Sequence, residues 1–321
     1  METQAVIPLP MIDGAAIRRA LPMPAAIKVI GSAIEAGLDP ERAAPRGISA
    51  VSAGQVLSMP AEVGGRVGVK LASVAPGNPA RGLPRIQAVY VLMDGATLTP
   101  IALLDGTELT KLRTPAVSAL AVDRLAVPLA DHLVLFGTGP QAWGHVEALR
   151  AVRPIRRVSV LGRDRLRTAA FVERLRRLGI AAAPATATAV SGADIVACCT
   201  TAREPLFDGR LLADHAVVVA CGSHEPIARE VDTETVRRSV VVVESIASAC
   251  AEAGDVIMAM AEGAVSRTEV VGLAALMRGE IPDADGPRLF KSVGMAWEDL
   301  IVASAVFDRS AATSGLQKGA P

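Results

Sequence analysis

The stretch Gly137-Thr138-Gly139-Pro140-Gln141-Ala142 follows the apolar run "HLVLF" and opens a helical pattern. It satisfies G-x-G-x-x-A in the strand-turn-helix order that a dinucleotide site requires. Gly137 permits a tight turn, Gly139 lets the backbone approach a diphosphate, and Ala142 lets the helix pack closely on the strand. Unsatisfied N–H groups at the helix start would then hold the phosphates. The next strand, "RVSVL", ends at Gly162 and is followed by Arg163, with Arg165 and Arg167 nearby. Guanidinium groups suit a ribose phosphate better than a hydroxyl pair, so NADP is the expected cofactor. Asp164 could serve the ribose hydroxyls if the loop shifted, which keeps NAD possible. Three other side chains could do chemistry. Lys70, in "RVGVKLASV", falls opposite the side on which the apolar residues alternate. Arg113 stands just before Thr114-Pro115, which reads as an N-cap and first helical position. His224, one of four histidines, follows "VVVACGS", where an apolar strand ends at Gly222, and its imidazole titrates near neutral pH.

These residues need elements to position them. Residues 13–37 read as one helix, with Ile27, Ile30 and Ile34 at helical spacing and Gly37 as its stop. From Arg46 to Met93 short β-like runs alternate with turn residues, which predicts a mostly antiparallel sheet. A helix is expected over 107–126. Beyond it, continuous apolar strands separated by helices predict a parallel sheet covered on both faces. Residues 181–189, rich in Ala and Thr, read as a small strand with its turns.

At 321 residues, with 51% apolar and 21% charged residues and 33 charges of each sign, the profile is that of a soluble cytoplasmic enzyme. Charge neutrality and only 2% aromatic residues argue against a nucleic-acid partner. No apolar run is long enough to cross a bilayer, and "METQAVIPLP" lacks the features of a signal peptide. Cys198, Cys199, Cys221 and Cys250 show no metal-like spacing and are expected as packed, reduced core residues, with no metal site. Glu225 is expected to be solvated, Glu230 to be structural and His145 to pack or cap, while His132 and His215 have no visible partners.

Read together, "LSMPA" with Lys70 downstream, "PGNPARGLP", "LTKLRTPAVSALA", "GTGPQAWGH", "HEPIAREVD" and "FKSVGMAWEDL" resemble the ornithine cyclodeaminase/mu-crystallin family in order and spacing, over nearly the whole chain. The resemblance implies an α/β fold with two parts. A Rossmann-type doubly wound parallel sheet would span 113–295, and an α+β substrate-binding and dimerisation domain would combine 1–112 with 296–321. It also implies a homodimer formed through the strands between residues 46 and 93. Arg46, Lys70 and Arg113 match the family's cations for the substrate carboxylate, with Met59 beside them. Lys70, desolvated near two arginines, should have a lowered pKa and could exchange a proton with the substrate nitrogen. Thr114, Thr200, Ser223, Ser292 and Gly294 fall on the cofactor side together with Thr138, Pro140, Gln141, Gly162 and Arg163.

Two departures bear on the substrate. Family members acting on ornithine carry an aspartate where this chain has His224, and a glutamate where it has Leu57. Loss of both carboxylates weakens ornithine as a substrate, since an unpaired buried ammonium is costly. The resemblance therefore implies an NAD(P)-dependent oxidoreductase acting at the α-carbon of an imino or amino acid. Reduction of a cyclic ketimine such as Δ1-pyrroline-2-carboxylate or Δ1-piperideine-2-carboxylate fits best, with Lys70 or His224 delivering the proton. Ornithine cyclodeamination, an amino-acid dehydrogenase and a non-catalytic NADP-binding protein are the alternatives.

Overall fold

The computed structural model describes residues 9–314. The outer ends of the expected domain ranges, and most of the amino-terminal stretch read for a leader, lie outside them. The chain divides into two compact units. The first holds the residues up to Val29, Ala43–Arg113 and those from Met295 onward; the second holds Ile30–Arg42 and Thr114–Gly294.

Strand β1 (Met11–Ile12) leads to helix α1 (Gly14–Ala20), whose N-cap Asp13 accepts from the Ala16 N–H at 2.7 Å. Helix α2 (Met23–Glu35) follows. The single helix expected here is two, because Pro22 disfavours a helical conformation at the residue before it, and Leu21 sits at φ −135°, ψ 85°. Gly37, with φ +99°, lies just past the end of α2.

Strands β2 (Gly47–Val51), β3 (Gly54–Val63), β4 (Arg66–Val74), β5 (Ile86–Asp94) and β6 (Pro100–Asp105) form an antiparallel run, and β1 adds in parallel beside β6. Lys70 is flanked across the sheet by Met59 on β3 and Tyr90 on β5. Strand β4 buries Gly68, Lys70, Ala72 and Val74, while Leu71 on the other face is exposed. The apolar alternation of Val67, Val69 and Leu71 thus marks the open face, and the lysine faces inward.

Helix α3 (Gly106–Leu125) begins two turns before Thr114. The Asp105 carboxylate caps it, accepting from the N–H groups of Thr107 and Glu108 at 2.9 and 3.0 Å. Thr114 is therefore not an N-cap, Pro115 lies inside the helix, and Arg113 is a mid-helix residue.

The second unit alternates strand and helix: β7 (His132–Phe136), α4 (Pro140–Val152), β8 (Arg157–Leu161), α5 (Arg165–Arg177), β9 (Ala181–Pro184), β10 (Ile195–Cys198) and β11 (Val217–Ala220). Then come α6 (Thr233–Arg238), β12 (Val240–Val243), α7 (Ile246–Glu252), α8 (Gly254–Ala261), β13 (Val271–Gly272), α9 (Leu273–Met277) and β14 (Arg288–Lys291). The eight strands pair in parallel in the order β13-β12-β14-β11-β10-β7-β8-β9. Every residue of β7, β10, β11 and β12 is buried, as a sheet covered on both faces demands. The strand order reverses between β7 and β10, which makes their carboxyl ends the switch point where such sheets bind ligands. Strand β14 inserts between β11 and β12 from a stretch not expected to be a strand. Helix α10 (Ala296–Ser314) returns to the first unit, where it packs on β3, β4 and β5.

The division differs from the expected one in residues 30–42, which join the second unit. There the Glu41 carboxylate accepts from Ser245 Oγ at 2.9 Å and from the N–H groups of Ile246 and Ala247 at 2.6 and 3.1 Å. It thereby satisfies the free donors at the start of α7. Glu41→Ala should lower the stability of the second unit by about 1 kcal/mol, the usual value of a helix cap. Urea unfolding should show a lower midpoint with an unchanged slope, and an unchanged midpoint would remove Glu41 as a tether.

Candidate active site

In the first unit, the inward face of β3–β5 meets α10. Lys70 Nζ donates to Asp299 Oδ2 at 2.7 Å and to Thr110 Oγ1 at 3.3 Å. Arg113 donates through Nη1 to Glu298 Oε2 at 2.8 Å and through Nε to Asp299 Oδ1 at 3.3 Å. Lys70 and Arg113 are nearly buried, and Glu298 and Asp299 wholly so. Burial is the largest influence on Lys70, with Arg113 next, and together with Arg46 they outweigh Asp299 and bring its pKa down to about 8. Arg46, half-buried, is thus close enough to act on Lys70. Met59 is buried beside Lys70, and Leu57 packs with Ala72 and Val74. Burial also pushes the Tyr90 phenol well above its ordinary range, with Asp299 adding to the effect.

The structure therefore gathers the lysine and both arginines of the sequence reading into one unit. It adds Glu298 and Asp299, which that reading did not assign. Their signal was an adjacent acidic pair inside the apolar helix pattern of "GMAWEDLIVASAV". One position of such a pair normally faces solvent, yet both are buried here.

In the second unit, Gly137 has φ +114°, and a Cβ there would collide with the carbonyl oxygen of Cys199 at the end of β10. Gly139 is the N-cap of α4 with no side-chain cap, and a Cβ there would meet nothing within 4 Å. Pro140 takes the first turn, Thr138 and Gln141 are half-buried, and Ala142 is fully buried. An open, uncapped helix start beside a backbone that only glycine can adopt fits a diphosphate. Gly162 has no room for a side chain against Thr168 Oγ1. Arg163 beyond it is exposed, and Asp164 caps α5 by accepting from the N–H groups of Leu166 and Arg167 at 2.9 and 3.0 Å.

The loops after β10, β11 and β14 are held by buried charges. Glu230 accepts from Thr200 N and Oγ1 at 2.8 and 2.7 Å, and from Gly222 N at 2.6 Å. Lys291 Nζ donates to the Ser223 carbonyl at 2.7 Å and pairs with Asp255 at 2.8 Å. Ser223 Oγ donates to the Ala228 carbonyl at 2.6 Å. Glu244 accepts from Ser292 Oγ at 2.6 Å and Gly294 N at 2.8 Å. The hydroxyls of Thr200, Ser223 and Ser292, expected on the cofactor side, thus donate to groups of the fold. Thr114 is buried on α3, with its carbonyl accepting from Ser118 Oγ. His224 is half-buried on the loop anchored at Gly222 and Ser223. Burial first, then Cys221, raise the Glu230 pKa to about 7.

Other expectations are corrected. His132 has partners in the Gly192 carbonyl at 2.6 Å and Ser159 Oγ at 2.9 Å, and His215 contacts Asp194 at 3.0 Å. Glu225 pairs with Arg203 at 2.7 Å. Only Cys198 of the four cysteines is fully buried; the others are half-buried, and all four are free thiols.

Comparison with known proteins places the chain in a family. The family model for the ornithine cyclodeaminase/mu-crystallin family matches residues 25–314. The chain is 36% identical over 319 residues to the Δ1-pyrroline-2-carboxylate/Δ1-piperideine-2-carboxylate reductase of Azospirillum brasilense, covering 96% of this chain and 98% of that one. It is 32% identical to the ketimine reductase mu-crystallin of Mus musculus, over 74% of each chain. Among solved structures, the Thermococcus litoralis Δ1-pyrroline-2-carboxylate reductase in complex with NADH and L-proline superposes with a TM-score of 0.89 at 29% identity, covering 97% of this chain and 100% of that one. With its buried cation cluster on an antiparallel sheet and its glycine turn at a parallel-sheet switch point, this chain belongs to the ornithine cyclodeaminase/mu-crystallin family.

Proposed function

We propose that the chain reduces a cyclic ketimine carboxylate, of the Δ1-pyrroline-2-carboxylate or Δ1-piperideine-2-carboxylate kind, to the cyclic amino acid, with NADPH as the preferred cofactor. The observation that carries this reading is the buried Lys70, held beside Arg113 on the same Asp299 carboxylate and with its pKa brought down to about 8. Asp299 holds both Lys70 and Arg113, Glu298 holds Arg113 as well, and Arg46 is close enough to act on Lys70. A lysine and two arginines gathered at one place suit a substrate carboxylate. The relatives named above act on such substrates, and Leu57, apolar and buried, offers nothing to the second amino group of ornithine.

In this reading the first unit binds the substrate and the second holds the dinucleotide. Arg113, fixed by Glu298 and Asp299, presents its guanidinium in one orientation to the carboxylate. Arg46 adds a second positive charge. Lys70 holds the proton that the ketimine nitrogen needs, with Asp299 and Thr110 fixing Nζ. His224 is the second candidate donor, on a loop pinned by Glu230 and Lys291. Gly137, Thr138, Gly139 and the start of α4 would hold the diphosphate, and Arg163 the ribose phosphate. When bound, the nicotinamide supplies the hydride to the C=N carbon.

The test is oxidation of NADPH and NADH with cyclic ketimines, set beside ornithine with NAD. Rapid NADPH oxidation with the ketimines and none with ornithine is expected; failure with every ketimine would sink the reading. In the reductive direction, kcat/KM should fall as pH rises through about 8, where free Lys70 loses its proton. A fall only near the ordinary lysine value would remove Lys70 as the acid. Lys70→Met should lower kcat by about 10²–10⁴-fold, as loss of a general acid does, with the melting temperature recorded to separate chemistry from folding. Unchanged turnover would remove Lys70 from the proton transfer.

The cofactor preference rests on Asp164, whose carboxylate is engaged in capping α5, beside an exposed Arg163. Arg163→Ala should raise the KM for NADPH by about 10-fold, the value of one charge-assisted hydrogen bond, and leave that for NADH within about twofold. Equal effects on both would argue against a phosphate contact.

The open face of the first unit's sheet carries the cross-strand pairs Val69–Val91 and Leu71–Val89, together with Val51 and Val56. Leu71, Val51 and Val56 are exposed there. We propose that this face pairs with a second copy of the chain. Sedimentation should give a dimer for the native protein and a monomer for Leu71→Arg; a dimer that survives the substitution would place the contact elsewhere.

A further inference from the structure

The parallel register of β10 and β11 sets Cys198 opposite Ala220, and the next residue on each strand is a cysteine. Cys199 and Cys221 therefore meet at the switch-point edge of the sheet, with Sγ atoms 3.7 Å apart. His145, on α4, completes the group: one ligand atom from each of the three residues lies within 4.8 Å of the others. The mechanism proposed above uses none of them.

We propose that His145, Cys199 and Cys221 form a binding site for a thiophilic d10 cation of the zinc class, beneath the dinucleotide turn. Two thiolates held about 2.3 Å from a tetrahedral ion stand about 3.8 Å from each other. The observed 3.7 Å meets that spacing without side-chain movement. The imidazole is also prepared for it. The distance from His145 Nδ1 to the Gln141 carbonyl is 2.8 Å, and a carbonyl can only accept, so Nδ1 carries a proton. With Ser118 donating to the Thr114 carbonyl, the 3.0 Å contact between Nε2 and Ser118 Oγ is made by a proton on Nε2, which a metal ion would displace to make Nε2 the ligating nitrogen. A ring nitrogen bound to metal while the other donates to a carbonyl is the usual arrangement at such sites.

Around Cys221 lie Glu230 and Asp255, with Lys291 as the neighbouring positive charge. Ligation displaces protons from thiol and imidazole ligands, so binding should tighten as pH rises. Three protein ligands leave the fourth position to water or a small anion. Cys199 and Cys221 are half-buried, so an ion can enter. Because the Cys199 carbonyl lies against Gly137, the ion would sit directly under the backbone that receives the diphosphate.

The experiment is equilibrium titration of the full chain with Zn2+ against a chromophoric chelator, with Co2+ as the optical probe. One ion per chain is expected, with thiolate-to-cobalt charge-transfer absorption and a melting temperature that rises with Zn2+. Cys199→Ser and Cys221→Ser should each weaken binding at least tenfold and abolish the stabilisation, while Cys250→Ser, on α7, leaves both intact. Absence of charge-transfer absorption, or serine variants that bind like the native chain, would overturn the assignment. The serine variants keep the side-chain volume, and their circular dichroism and cofactor binding verify that they fold.

Discussion

A lysine cannot be buried against a sheet without an anion, and much of the first unit's construction follows from that. Transfer of an ammonium into a low-dielectric interior costs several kcal/mol even after relaxation. Lys70 meets that cost through Asp299, and Asp299 is carried by α10, more than two hundred residues away in the chain. The same carboxylate, with Glu298, fixes Arg113 on α3. One anionic pair thus ties β4, α3 and α10 together. Well-packed apolar residues would hold these elements as firmly, since buried ion pairs are weak sources of stability. In the function proposed above, the expensive arrangement would serve as a preformed receptor for a carboxylate, beside a lysine whose pKa is brought down to about 8.

The second unit uses buried charge differently. Its strands are nearly featureless runs of valine and alanine, and nothing in such a strand dictates where the following loop goes. Glu230 draws the ends of β10 and β11 together through Thr200 and Gly222. Glu244 does the same for the turn after β14 through Ser292 and Gly294. Lys291 holds Ser223 from below. Each carboxylate accepts several donors, which is how a buried anion becomes tolerable. These groups shape the switch-point rim from its inner side, without needing to contact a ligand.

Much of this was legible in the sequence where local chemistry decides. The glycine turn, the alternation of strands and helices, and the antiparallel sheet were readable from period and turn residues. The motif order pointed to the family and to Lys70 and Arg113. The helix boundaries were not, for specific reasons. Thr114-Pro115 imitates a helix start, but Asp105 caps α3 earlier, and the continuing helix tolerates Pro115. The orientation of β4 was also hidden, because its apolar side chains line the open face and its lysine faces the core. Strand β14 is four residues long, with Lys291 at its end. Neither period nor composition distinguishes it, and only its position between β11 and β12 makes it a strand.

The cysteines show most clearly what spacing alone cannot carry. Metal motifs are recognised in sequence when the ligands lie within a turn or two of one another, because local geometry then brings them together. Here the ligand atoms come from positions 145, 199 and 221, and no local rule joins them. Two constraints do so instead. The parallel register aligns the ends of β10 and β11, so that residues one step past Cys198 and Ala220 become neighbours. The glycine turn then directs α4 back across those ends, with Gly137 pressed against Cys199. A one-residue slip in the β10–β11 register would turn one of the two cysteines to the opposite face of the sheet, and a side chain at Gly137 would push the turn off β10. The constraints that build a dinucleotide cradle therefore also assemble the thiol–imidazole cluster beneath it.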